Sequence, residues 1–451
     1  MACHICCWRT FAPGVYTRLF AILDHIHAFG SRFFTALHYS DYRKLWVGTA
    51  LSQSGNWALI VSRAALALNL TGSSGSAGVV TFAAMIPAVV ISPLAGYLAD
   101  RFDRKIVLAG AYSTNIIANL ILAGLVISGR VEFWQLVFLS LISGIGRASQ
   151  MPAAQALLPN LIPSNILVNG VALHHATQQG GKMLGPLCIL PAILMGHSSL
   201  AFLISSVLYI GGLAIVLRIR TTSRGVVKSD QGVAKNLVQG LSFVYSNGML
   251  LSIFLIAVLH CALTMSYETL FPALSRDRLG LTDAIGLYKG GSLLMIGIGS
   301  GSFISSFLIA GIRSAKIRGN LFFVFGILSG VAPFALGLAP SLSIAIIAAF
   351  GVGLSQAGFM TLTQSMVQQI VPDEIRGRVM AVYSWHIQGF MASFNILNGF
   401  LTDTPWLNAT RVLSGMSAIF TAIMFLSIGR TPLRRIYRHG LSQTEHLASP
   451  L

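Results

Sequence analysis

Apolar runs of about twenty residues or more recur along most of this chain, and they leave the fold little freedom. Twenty helical residues rising 1.5 Å each cover the ~30 Å hydrocarbon core of a bilayer. Runs of that length lie near 45–70, 76–99, 106–128, 133–158, 165–195, 198–218, 249–274, 281–311, 317–338, 341–370, 374–400 and 407–429. Hydrophobic residues make up 54% of the 451 and charged residues 10%, against roughly 25% charged in soluble domains. A soluble core has no room for so much apolar surface, so lipid is the solvent for most of the chain. Lipid offers no hydrogen bonds, so each spanning segment must satisfy its own backbone, and it does so as a helix. The expected fold is an all-α membrane protein with 12 transmembrane helices.

The net charge of +17 would suggest nucleic acid in a soluble protein. Here the basic residues sit in short loops without interleaved aromatics, so no nucleic acid is expected. If both termini and every second loop are cytoplasmic, that side holds 22 of the 30 Lys and Arg residues. The opposite side holds four, Arg130, Arg276, Arg278 and Arg411; four more, Arg63, Arg147, Lys182 and Lys289, lie inside spans. So lopsided a split predicts a multi-pass protein of the cell membrane with cytoplasmic termini. Residues 1–44 read as a cytoplasmic or interfacial segment, with an amphipathic stretch over 15–37 and no signal peptide. The Cys3, Cys6 and Cys7 cluster reads as a chance grouping, so no metal site or disulfide framework is expected.

The longest internal polar segment divides the spans six and six. This gives an N-terminal half over 45–218, a cytoplasmic linker over 219–248, a C-terminal half over 249–429 and a tail over 430–451. The halves echo each other at an offset of 209: Gln155 through Pro163 to Ile166 matches Gln364 through Pro372 to Ile375, and Gly144 matches Gly353. Two parallel repeats place a substrate path between them near the bilayer midplane and suit alternating access by rocking.

The loop between the second and third spans reads Gly96-x-x-x-Asp100-Arg101-x-x-Arg104-Lys105. Asp100 at a helix end can accept N–H groups from a facing helix terminus, and the bases can anchor the turn to headgroups or pair with Asp103. The eleventh span is preceded by Val371-Pro372-Asp373-Glu374-Ile375-Arg376-Gly377-Arg378. With Tyr267 to Leu274 in the seventh span, these residues resemble the major facilitator superfamily, and within it the enterobactin exporter and macrolide-type efflux branch. The resemblance implies a cytoplasmic latch in which the Gly96 to Lys105 cluster meets Asp373, Glu374, Arg376, Gly377 and Arg378. The matching loop of the second half, around Arg313, Lys316 and Arg318, keeps its bases but no acid, so the latch should be asymmetric. Gly181-Lys182-x-x-Gly185-Pro186 looks like part of an antiporter signature, although Ile189 and Leu190 stand where its closing glycines would be. On physical grounds Gly181 and Gly185 permit close helix packing and Pro186 bends the span.

Ionisable residues within spans are costly and point to function. Glu268 is the sole acid among them. It is expected either to pair with Lys289 or to couple proton flow, with His260 as a relay along an i, i+4 stripe through Thr264. Asn56, Arg63, Arg147, Gln150, His175, Gln178, Lys182, Lys289 and Gln364 are the expected substrate path. Three net positive charges there favour an anionic or acidic cargo, or one rich in acceptor oxygens, over a lipophilic cation. No phosphate loop, metal-ligand spacing or nucleophile arrangement appears, so neither an enzyme nor a cofactor is expected. The expectation is a secondary active transporter, monomeric in the lipid bilayer, exporting a small amphiphilic molecule (siderophore- or drug-like) against protons. The alternative is an importer or uniporter of the same fold.

Overall fold

The computed structural model describes residues 35–441 except 164–165, 198, 224–232, 311 and 313; for 92–101, 168, 233, 234, 310, 373 and 374 the backbone alone is described. The Cys3 to Cys7 cluster and most of the 15–37 stretch lie outside these residues. Among the described residues every regular element is a helix. The first six are α1 (Ser40–Thr71), α2 (Ser74–Arg101), α3 (Arg104–Ile127), α4 (Phe133–Leu157), α5 (Leu167–Leu194) and α6 (Leu200–Leu217). After the linker come α7 (Val233–Ser246), α8 (Gly248–Leu263), α9 (Leu270–Asp277), α10 (Ala284–Ala310) and α11 (Ala315–Gly337). The chain closes with α12 (Leu342–Ile370), α13 (Asp373–Thr402), α14 (Ala409–Leu426) and α15 (Thr431–His439).

The polar residues between apolar runs start the helices. Asp103, Asn247, Ser314, Ser341 and Asn408 each accept an N–H from the first turn of the helix that follows, satisfying a donor the helix itself cannot. Seven helices (α2, α3, α6, α10, α11, α12 and α14) are long and apolar enough to cross a membrane. Four more, α1, α4, α5 and α13, have 32, 25, 28 and 30 residues, at least about 37 Å each. Their inner faces carry the polar groups described below, which lowers their average hydropathy. With Gly248–Asp277, these make twelve segments of spanning length, consistent with the expected number.

Two elements were hidden in regions read as polar. Helix α7 lies inside the linker and meets α8 at 104°, packing against α13. Helix α15 lies in the tail, anchored by Leu433, Ile436 and Tyr437.

Helices α1–α6 share one apolar core, built around Tyr42, Tyr112, Phe202 and Tyr209. A second core, with Phe254, Phe322, Phe359 and Phe420, joins α8 to α11–α15. Between the two groups α2 runs along α13 and α5 along α10, and Trp57 and Val61 of α1 join a cluster with Phe271 and Leu294. Small residues set these approaches, since lipid supplies no hydrophobic drive and close packing must do the work. A Cβ on Gly144 would sit 2.6 Å from the carbonyl oxygen of Ala84 in α2, and one on Gly353 would strike that of Ile298 in α10. The paired glycines of the repeat thus seat equivalent helix crossings. Gly181 and Gly185 face Gln53 and Ser54 of α1 in the same manner, and α5 stays helical through Pro186 and Pro191.

The seventh span departs from the continuous helix expected over 249–274. It breaks at residues 264–269, between α8 and α9. Pro272 has no N–H to give the carbonyl of Glu268, and its ring crowds that carbonyl. Thr264, Ser266, Tyr267 and Thr269 are weak helix formers besides. The freed carbonyls find partners in neighbouring helices: Gln356 Nε2 donates to the Thr264 oxygen at 2.6 Å and Asn398 Nδ2 to the Ser266 oxygen at 2.7 Å. Irregular backbone at membrane depth is tolerated where protein buries it in this way.

Candidate functional site

The charged residues inside the spans converge where the two helix groups meet. Arg63 on α1 is 5% exposed, and its Nη2 donates to Asn119 Oδ1 on α3 and Ser143 Oγ on α4, each at 2.7 Å. Arg147 lies one turn beyond Ser143 on α4, and Lys182 on α5 holds its Nζ 5.0 Å from the centre of the Trp57 ring. Glu268 comes from the opposite group of helices. It sits in the break between α8 and α9, is 5% exposed, and its Oε2 has no hydrogen-bond partner among the described residues. Arg63, Arg147 and Glu268 border one cavity of about 10 Å³, closed over by Val80 and Met85 of α2. That is room for about one water.

The break also redirects Glu268. Instead of pairing with Lys289, which lies half-buried on α10, it borders the same cavity as Arg63 and Arg147; no ion pair within 4 Å joins it to Lys289 among the described residues. The i, i+4 stripe ends with the helix. His260 is buried against Phe359 and Phe420, at ring distances of 4.5 and 5.2 Å, and neither ring nitrogen has a hydrogen-bond partner among the described residues. It faces α12 and α14, away from the central cavity.

The other expected path residues are scattered. Asn56 is buried on α1. Gln150 donates to Ser52 Oγ at 2.8 Å, and Ser52 to the Tyr112 hydroxyl at 2.9 Å, inside the first group of helices. His175 and Gln178 are half-buried on α5, and Gln178 Nε2 lacks a partner, as does Nε2 of the adjacent His174. Gln364 is half-buried on α12 and does not line the central cavity.

At the linker end the side chains of Gly96, Asp100, Arg101, Asp373 and Glu374 lie outside the described residues. The neighbouring bases bind helix ends of the first group. Arg104 donates to the carbonyl of Ala156 at 2.8 Å and to Ser223 Oγ at 3.2 Å, and Lys105 Nζ to the carbonyl of Ile219 at 3.0 Å. Those carbonyls terminate α4 and α6, where the helix dipole favours a cation. Asp103 caps α3 by accepting from the Lys105 N–H rather than pairing with a base. Asp41 accepts from the N–H groups of Arg220 and Thr221, so residues 218–223 are strapped to the first helix group. Arg376 donates to the carbonyl of Val371, and Gly377 faces open space. Arg378 donates to Gln239 Oε1 of α7 at 2.6 Å, tying the linker helix to α13.

At the far end the structure holds a contact that sequence reasoning missed. Asp403, just past α13, accepts from the N–H groups of Ser74 and Gly75 at 2.8 and 2.7 Å and from Ser73 Oγ at 2.5 Å. Burial alone would raise its carboxyl; the hydrogen bonds from Ser73, Gly75 and Ser74 outweigh this and hold it below the usual carboxylate range. Arg276, at the end of α9, donates to the carbonyl of Gly72 at 3.3 Å. An acid beyond an apolar run gives no sign of a partner 330 residues away.

Two groups of long apolar helices with a charged centre between them suit a membrane transporter, and the comparisons with known proteins agree. Residues 31–451 match the transmembrane secretion effector family of the major facilitator superfamily, and the chain belongs to that efflux-type family. It is 24% identical to macrolide efflux protein A of Streptococcus pyogenes, over 84% of this chain and 94% of that protein. It is 22% identical to the staphyloferrin A transporter of Staphylococcus aureus (86% and 96% covered) and 24% identical to the multidrug efflux pump Tap of Mycolicibacterium fortuitum (81% and 92%). Among solved structures, the nucleoside transporter NupG superposes with a TM-score of 0.68 at 14% identity, covering 86% of this chain and 98% of its own. A bacterial homologue of the lysosomal transporter Spinster gives 0.65 at 14% identity, over 89% and 98%. These structures share the fold. The protein is a multi-pass transporter working in a lipid bilayer on a small molecule, and not an enzyme.

Proposed function

We propose that this transporter expels a small, oxygen-rich amphiphile from the cytoplasm in exchange for protons, as a monomer in the cell membrane, with its linker end and both termini cytoplasmic. The observation that carries the proposal is the position of Glu268: the one acid within the spans, set between the helix groups opposite Arg63 and Arg147. The efflux relatives named above support the outward direction, and the lopsided distribution of Lys and Arg supports the orientation.

Linkage sets what the cargo must carry. Exchange requires that cargo and proton exclude one another at Glu268, and such coupling is reciprocal. A purely anionic cargo, bound by Arg63, Arg147 and Lys182, would draw a proton onto Glu268 rather than displace it. A cargo that donates a hydroxyl or amine hydrogen bond to the ionised carboxylate competes with the proton. Its acceptor oxygens then face the arginines. The positive centre alone therefore does not select a simple anion; Glu268 adds a requirement for a donor.

In this cycle Glu268 takes a proton from outside, the halves rock, and the proton leaves to the cytoplasm as cargo binds. Import of a solute together with protons is the competing scheme, since the fold runs either way. Comparing the medium of cells with and without the protein identifies the cargo, and everted vesicles then give its direction. Accumulation of cargo inside everted vesicles supports export. Accumulation only in right-side-out vesicles would replace export by import.

A further inference from the structure

We propose that Asp403 and Arg276 form a clamp that closes the outer side of the transport path by gripping the turn between α1 and α2. In the orientation proposed above this end faces outside; the clamp itself follows from geometry. Helices α2 and α13 lie antiparallel across the boundary between the two groups, so the start of α2 meets the end of α13.

The first N–H groups of any helix lack partners within it. At α2 the N–H of Ser76 reaches Ser73 Oγ at 3.4 Å, a local cap. The N–H groups of Ser74 and Gly75 have no local acceptor; both bind one carboxylate of the opposite helix group, Asp403. The positive end of the α2 dipole faces that carboxylate. From the other flank Arg276 holds the carbonyl of Gly72, and Asp277 steadies the Arg276 guanidinium at 2.7 Å.

The backbones touch beneath this contact. A Cβ on Gly78 would lie 3.1 Å from the carbonyl oxygen of Asn395, and one on Gly399 would lie 2.8 Å from that of Ser74. Such a surface fits in one arrangement only, and it opens if the helices part by a few ångströms. Four polar contacts across the boundary and a close-packed seam therefore hold the outer end shut. Opening costs the hydrogen bonds to a charged acceptor, and water must then solvate both partners. Asp403 and Arg276 are positioning residues: they touch no cargo, and they set how often the path opens outward.

The test uses the full chain without its native cysteines and with Thr81→Cys, a buried position on the central cavity, exposed to a membrane-impermeant maleimide. Asp403→Asn should raise outside labelling by about tenfold, the effect of losing a charge-assisted hydrogen bond. A disulfide between Ser73→Cys and Asp403→Cys should stop transport, and reductant should restore it. Labelling unchanged from either side in a monodisperse protein, or full transport by the cross-linked form, would overturn the clamp. Labelling that rises only from the cytoplasmic face would keep the clamp and overturn the orientation.

Discussion

At the scale of single residues, charge in this protein sits where a helix end or a buried polar group receives it. Lys105 and Arg104 meet the carbonyl ends of α6 and α4, Asp403 meets the amide end of α2, and Arg63 is held by Asn119 and Ser143. Because the carboxyl of Asp403 titrates below its ordinary value, it stabilises the folded protein fully above the unfolded value near pH 4. That stabilisation fades as pH falls through the folded value. Asp403 is exposed, so solvent screens these contacts, and melting curves should show Asp403→Asn less stable than the parent at pH 7 by about 0.5–1 kcal/mol. The gap should close below about pH 4; a gap constant down to pH 3 would contradict the assignment. Arg63 and Glu268 were legible in the sequence because an ionisable group in an apolar run is conspicuous by its cost. Asp403 was not, because its worth depends on a helix start far away in the chain.

At the scale of elements, helix boundaries were read well wherever a polar cap follows an apolar run, as at Asp103, Asn247 and Asn408. The seventh span was misread because hydropathy reports burial and not backbone path. Its apolar run continues through residues 264–269 while Pro272 removes the hydrogen bond that would hold Glu268 in a helix. Helix α7 was missed for the opposite reason, since its polar face lowers its average hydropathy while its apolar face packs on α13. The break depends on side-chain donors from α12 and α13. Asn398→Leu should leave the Ser266 carbonyl without its donor and destabilise the protein by about 1–2 kcal/mol, seen as a lower melting temperature. It should also impair proton-driven transport more than cargo binding, because Glu268 loses its fixed position. An unchanged melting temperature would show that the break does not lean on Asn398.

At the scale of the whole molecule, the repeat at offset 209 was the most telling pattern. Gly144 and Gly353 seat matching crossings in the two groups, and a pseudo-symmetric pair of bundles encloses its site between them. The asymmetry lies in the charges: one group contributes Arg63, Arg147 and Lys182, and the other contributes Glu268. At the end of the α2 and α13 pair away from the linker, Asp403 supplies an acidic contact between the groups. Motion that parts one end of that pair can close the other, as alternating access requires. The central claim is that the proton and the cargo exclude one another at Glu268. It is tested most directly in proteoliposomes, by recording proton movement when cargo is added to one side. The parent protein should move protons toward the cargo, while Glu268→Gln, neutral like the protonated carboxyl, should move none and bind cargo more weakly; proton movement of parental size in Glu268→Gln would contradict the account.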